Sequence, residues 1–109
     1  MSDTPTPAWI PACAADAIEP EDVIRFDHGG QTYAIYRTAT DRYYATAGHC
    51  THGQVHLADG FVSDQIIECP KHNGRFDFTT GRAQGAPVCV DLHTYPVKVE
   101  NGQVFIQPT

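Results

Sequence analysis

Two short clusters carry most of the chemistry in this sequence. The first reads Gly48-His49-Cys50-Thr51-His52-Gly53 and the second Cys69-Pro70-Lys71-His72-Asn73-Gly74. In pattern form this is C-x-H, a gap of sixteen residues, then C-x-x-H. Cys50, His52, Cys69 and His72 are the candidate metal ligands. Two thiolates and two imidazoles suit zinc or an iron–sulfur centre rather than a hard cation such as Mg²⁺ or Ca²⁺. Structural zinc sites commonly pair Cys with Cys and His with His. Here each pair mixes the two, which disfavours a structural zinc domain and leaves it as the rival reading.

Something must bring the two pairs together. The intervening stretch holds Phe61-Val62 and Ile66-Ile67 on either side of Ser63-Asp64-Gln65, the pattern of a hairpin. The chain then runs out and returns, and each Cys–His pair sits at a loop tip facing the other. Gly53, Pro70 and Gly74 suit such tips, through permissive backbone angles and a stiffened turn.

The rest reads as short strands. Val23 to Phe26 leads through Asp27-His28-Gly29-Gly30, a turn, into Gln31 to Thr38. Asp41-Arg42 marks another turn, and Tyr43 to Thr46 another strand. Tyr95, Val97 and Val99 alternate with polar or proline positions. Asn101-Gly102 and Gln103-Val104-Phe105-Ile106 follow, the mark of a type I′ hairpin. Only Asp16 to Asp22 reads as a possible helical turn, and Pro20 limits it. The fold class is all-β, an antiparallel sandwich or small barrel. With 109 residues it is one domain, residues 9–109, behind a flexible tail at 1–8, with the cluster-binding part at about 47–88.

Composition excludes several classes. Seven basic residues against thirteen acidic ones give a net charge of −6. Nucleic acid is therefore not an expected partner. No apolar run is long enough to span a membrane, and the start lacks a signal-peptide pattern, so a cytoplasmic protein is expected. In that compartment the four cysteines point to metal rather than disulfides. No G-x-G-x-x-G occurs, so no nucleotide-binding unit is expected.

The combined pattern resembles the Rieske [2Fe–2S] family. C-x-H and C-x-x-H at this separation is that family's signature. Phe76-Asp77-Phe78-Thr79-Thr80-Gly81-Arg82 resembles the segment after its second ligand pair. Ala86-Pro87 is similar to its covering proline loop, and Tyr95 to Gly102 to its closing hairpin. The resemblance runs from about Trp9 to Ile106. Within the family the chain resembles the small ferredoxins of bacterial aromatic-ring-hydroxylating, non-haem iron oxygenase systems.

The resemblance implies a Rieske fold with a cluster-binding subdomain of two facing loops. It implies one [2Fe–2S] cluster, with Cys50 and Cys69 on one iron and His52 and His72 on the other. It also implies no catalytic site, and a monomeric one-electron carrier between a flavin-dependent NAD(P)H reductase and a terminal oxygenase. The alternatives are a small Rieske subunit of another redox complex, nitrite-reductase-like or arsenite-oxidase-like, and a redox sensor. Two thiolates leave the oxidised centre formally neutral, so an electron is accepted more readily than by a four-thiolate cluster. High-potential members carry an extra disulfide, whose cysteines would fall near Val55 and at Lys71, and a serine where Gly74 stands. With neither present, the potential is expected at roughly −150 to 0 mV, the low end of the class. Asn73 stands where glycine is frequent, and Asp91 where a second covering-loop proline is frequent.

The spare residues read as structural. Cys13 and Cys89 are small hydrophobes in strand-like stretches. His49 and His56 flank the first pair as surface or supporting residues. His28 reads as a turn residue, His93 as solvent-facing or packed near the covering loop, and Trp9 and the tyrosines as packing.

Overall fold

The computed structural model describes residues 8–51, 54–70, 74–85 and 90–108. Among these, ten strands and two single 3₁₀ turns form three antiparallel sheets. The strands are β1 (Ile10–Ala14), β2 (Asp22–His28), β3 (Gln31–Arg37), β4 (Tyr43–Ala47), β5 (Phe61–Ser63), β6 (Ile66–Glu68), β7 (Arg75–Asp77), β8 (Thr94–Tyr95), β9 (Val97–Glu100) and β10 (Gln103–Ile106). The sheets run β1-β10-β9, β2-β3-β4-β8 and β5-β6-β7. The tail expected at 1–8 lies outside the described residues except for exposed Ala8. No helix among the described residues is long and apolar enough to cross a membrane.

β3 explains the layering. Its side chains alternate between faces, as in any strand, yet Tyr33, Ala34, Ile35 and Tyr36 are all buried. Ala34 and Tyr36 enter one apolar cluster with Val23, Leu57, Ile67, Phe76, Phe78 and Leu92. Tyr33 and Ile35 enter another with Ile18, Ala45, Val104 and Ile106. The central sheet is thus packed on both faces, against β1-β10-β9 on one side and the small β5-β6-β7 sheet on the other.

The turns follow their residues. Asn101 and Gly102 take φ of 52° and 74°, the type I′ geometry the sequence expects. Gly29 and Gly30 do the same between β2 and β3, at 58° and 78°. Here β2 runs further than expected: Asp27 and His28 pair with Thr32 and Gln31, so His28 is a strand residue and the turn is the glycine pair alone. The 3₁₀ turn falls at Ala15–Ala17, just before most of the segment Asp16 to Asp22, because Ile18 is already extended and fully buried.

The small sheet is the frame for the two clusters. Asp64 and Gln65 close its β5–β6 hairpin, with Ser63 opposite Ile66. Val62, Ile67 and Phe76 form one row across it, and Ile67 and Phe76 are fully buried. Phe78, just past β7, lies flat on Tyr36 with ring centroids 4.3 Å apart and planes 3° apart. At the hairpin turn, the Asp64 amide donates to the Glu21 carboxylate at 3.1 Å, a second tie to the central sheet.

Candidate metal centre

Each cysteine of the sequence pattern opens a loop off a strand end. β4 ends at Ala47, and Gly48 turns the chain toward Cys50, its amide donating to the Thr32 carbonyl at 3.0 Å. β6 ends at Glu68, immediately before Cys69. Both loops are closed by the same device, the cysteine amide donating to the carbonyl five residues on. Cys50 reaches Val55 at 3.0 Å and Cys69 reaches Gly74 at 2.6 Å. Each closure spans its histidine in sequence, His52 or His72, and both of these lie outside the described residues, as do Gly53, Lys71 and Asn73.

The two cysteines converge. Cys50 and Cys69 are 4% and 1% exposed and belong to one apolar cluster with Leu57, Ile67, Phe76, Phe78 and Leu92. Such surroundings penalise an uncompensated thiolate and favour one bound to a metal cation. Two buried thiols at the heads of similarly closed loops fit the cysteine half of a two-Cys, two-His cluster.

A third segment approaches from the other side. Leu92 donates to the Gly81 carbonyl at 2.7 Å, and Ala83 donates to the Asp91 carboxylate at 2.8 Å. These bonds tie the chain before residue 84 to the chain after residue 90, making a neck. Asp91, where the family resemblance leads one to expect proline, supplies a hydrogen bond in place of ring stiffness. Gly81 has φ of 84°, and an added Cβ would collide with the Leu92 carbonyl oxygen, so only glycine suits this neck. The Thr51 hydroxyl donates to the Val90 carbonyl at 2.7 Å and joins the neck to the first loop. Ala86, Pro87 and Cys89, read as covering loop and buried thiol, lie outside the described residues.

The remaining histidines separate by environment. His49 is exposed and pairs through the backbone with His56, their rings meeting edge to face at 5.7 Å. His56 is buried, with both ring nitrogens in hydrogen bonds: Ala58 N–H to Nδ1 at 3.0 Å, and Nε2 with Thr32 Oγ1 at 2.8 Å. Burial, reinforced by Arg25 and His49, holds its pKa below the ordinary value. His93 is exposed and its ring rests against Tyr95. Cys13 is only half-buried, and burial raises its thiol pKa. Trp9 is half-buried with the Lys98 ammonium 4.8 Å from its ring. Sequence reasoning missed the bonds from Thr51 to Val90, from Ala83 to Asp91 and between His56 and Thr32, which join residues 39, 8 and 24 positions apart.

Three small antiparallel sheets, with two buried cysteines each opening a loop over one apolar cluster, define a metal-centre domain whose donors suit zinc or an iron–sulfur cluster. The Rieske [2Fe-2S] domain family model matches residues 8–96, and the chain belongs to that family. It accordingly carries a Rieske-type [2Fe–2S] cluster, which decides between the two metals the donor set left open. The ferredoxin component of a naphthalene 1,2-dioxygenase system from Pseudomonas aeruginosa is 45% identical over 101 residues, covering 93% of this chain and 96% of that protein. The ferredoxin component of naphthalene 1,2-dioxygenase/salicylate 5-hydroxylase systems from Ralstonia sp. is 42% identical over 102 residues, covering 94% and 97%. A chain in the complex of reduced oxygenase and oxidised ferredoxin of carbazole 1,9a-dioxygenase superposes with a TM-score of 0.85 at 35% identity, covering 91% of this chain and 92% of that one.

Proposed function

We propose that this chain is a soluble, monomeric one-electron carrier of an aromatic-ring dioxygenase system, accepting electrons from a flavin-dependent NAD(P)H reductase and passing them to the terminal oxygenase. Cys50 and Cys69 hold one iron of the cluster, and His52 and His72 the other. The observation that carries this reading is that Cys50 and Cys69 are both buried in one apolar cluster, each opening a loop whose sequence includes a histidine. The system assignment rests on the naphthalene dioxygenase ferredoxins at 42% and 45% identity, which favours it over a small subunit of another redox complex. Residues 9–109 form the single domain, with the cluster-binding part at about 47–88, in a cytoplasmic setting.

Electron transfer here needs no bond making at the protein. The cluster supplies a site that gains and loses one electron. The chain's own residues would position the cluster, and buried Leu57, Ile67, Phe76 and Phe78 would keep water from Cys50 and Cys69. His52 and His72 would provide the route by which the electron enters and leaves.

Reconstitution tests the function. With reductase, NAD(P)H and a naphthalene-type oxygenase, catalytic amounts of the holoprotein should restore substrate oxidation. Cys50→Ser and Cys69→Ser should each lose the visible spectrum and the iron, and with them the stimulation. His72→Cys should keep a cluster at lowered potential, because it adds a thiolate charge. A Cys69→Ser protein with unchanged spectrum and iron would overturn the ligand assignment, and a holoprotein inert toward every ring-hydroxylating oxygenase would overturn the carrier role.

A further inference from the structure

The first cluster loop is held by a line of hydrogen bonds that the proposed electron carriage does not by itself require. It begins under the loop, at His56. The Ala58 amide donates to Nδ1, so in the neutral ring the proton sits on Nε2. Nε2–H therefore donates to Thr32 Oγ1, 2.8 Å away. Thr32 in turn spends its hydroxyl proton on Asp27 Oδ1 at 2.6 Å. The Asp27 carboxylate is also held by Arg25 Nε, at 3.1 and 3.2 Å from its two oxygens. Every donor faces an acceptor in one consistent direction, from the buried ring to the exposed carboxylate.

The packing around this line is tight. Gly48 lies against the His56 ring, and a Cβ there would come within 2.5 Å of Nε2 and 3.0 Å of the Thr32 carbonyl carbon. Leu57 donates to the Gly48 carbonyl at 2.8 Å, so the two ends of the first cluster loop are tied together beside the ring. Cys50 and the position of His52 lie on that loop. Thr32 belongs to β3, the strand buried on both faces. The ring therefore couples β3, buried on both faces, to the loop that carries half of the proposed ligands.

We propose that His56 is a positioning residue that, through Thr32 and Asp27, fixes the first cluster loop and so sets the geometry of the cluster. This rests on the assignment of Cys50 and His52 as ligands. Neither His56 nor Thr32 binds iron, and the second loop has no counterpart of this line among the described residues. A loop released from the line lets its ligands wander relative to those of the second loop, which would alter the ligand field and open the cluster to attack.

The test uses the holoprotein and three variants. Thr32→Val removes the middle link at nearly constant shape, His56→Leu removes both ring bonds, and His56→Gln keeps one acceptor and one donor at the same site. Readouts are iron content, EPR of the dithionite-reduced protein and the rate at which a chelator strips the cluster. Thr32→Val and His56→Leu should retain full iron, show shifted and broadened g-values, and lose the cluster several-fold faster; His56→Gln should restore most of the parent behaviour. Should His56→Leu fail to fold, Thr32→Val carries the test alone. Parent-like EPR in Thr32→Val overturns the proposal, including the case in which stripping merely accelerates in step with a lower Tm. A wrong ligand assignment is distinguishable, because Cys50→Ser would then keep its cluster whatever the Thr32 and His56 variants do.

Discussion

Phe78 is the side chain on which the coupling of the small β5-β6-β7 sheet to the central sheet can be measured. It is fully buried, lies flat on Tyr36 at 4.3 Å and meets Tyr44 edge to face at 5.8 Å. Its partners belong to the central sheet, while its amide donates to Gln65 in the β5–β6 turn at 3.0 Å. Replacing Phe78 by Leu keeps an apolar body but deletes two aromatic contacts, each worth about 0.5–1.5 kcal/mol beyond burial. The expected loss is therefore about 1–3 kcal/mol, against about 3–5 kcal/mol for a truncation to Ala that leaves a cavity. In a domain of this size each kcal/mol moves Tm by roughly 4–8 °C. The assay is far-UV dichroism of the holoproteins at one scan rate, since cluster loss makes unfolding irreversible and only comparisons at fixed rate are meaningful. Cluster absorbance should fall at the same temperature as the dichroism in parent and variant, because Cys50, Cys69, Tyr36 and Phe78 share one apolar cluster. A Phe78→Leu protein within 2 °C or so of the parent would refute the reasoning. So would a cluster lost well before the strands, since the cluster-bearing part would then melt separately from the central sheet.

Three further outcomes follow from single features. Tyr36→Phe removes a hydroxyl that must be the donor to Thr46 Oγ1, since Thr46 spends its own proton on the Ala47 carbonyl; the expected cost is about 0.5–1.5 kcal/mol by the same melts, and a gain in stability would contradict it. Gly81→Ala forces a left-handed backbone on a residue with a Cβ, at about 1–2 kcal/mol before its collision with Leu92 is counted, and should also speed chelator attack on the cluster because it loosens the neck. Acidification should destabilise the protein in two stages. His56 is held below its ordinary 6.5 by burial first, then by Arg25 and His49, with Asp27 and Asp59 opposing, so below about 6.5 the unfolded chain takes up a proton that the folded one does not. Asp27, lowered from 3.8 mainly by its hydrogen bonds from Thr32 and Arg25, adds a loss of the same sign in the more acid range. Tm should be flat above about pH 7 and fall below it, and His56→Gln should abolish the upper stage; a Tm that rises through this window would show the sign to be wrong.

Much of this was legible in residue order, for reasons that are local. The Asn101-Gly102 turn and the Asp64-Gln65 hairpin are set by what a few neighbouring residues can do with their backbones. The Cys50 and Cys69 clusters are legible because metal chemistry admits few donor types and their spacing is short. The two-faced burial of β3 is only half legible: the run from Tyr33 to Tyr36 announces an apolar strand, but not that Ala34 and Ile35 face different layers. The tether from His56 to Thr32, the neck bond from Ala83 to Asp91 and the link from Thr51 to Val90 span 24, 8 and 39 residues. Such pairs have no local signature, since a lone His, Asp or Thr reads equally well as a solvated surface residue. The same holds for His28, whose place in β2 is decided by its partner Gln31 and not by the glycines beside it.

The pairing of β1 with β10 has a consequence for synthesis. Ile10 faces Ile106 and Ala14 faces Gln103, so the first strand cannot find its partner until residues 103–106 have been added. At 5–20 residues per second a ribosome takes roughly 5–20 s to deliver that partner. During that interval Ile18, Tyr33, Ile35 and Ala45 lack Val104 and Ile106, the two fully buried residues that complete their layer. Contacts of such long range also slow the final folding step relative to local ones. The nascent chain therefore passes through a stage in which its metal-binding loops can already be complete while one apolar face still stands open, a window in which chaperone capture competes with closure.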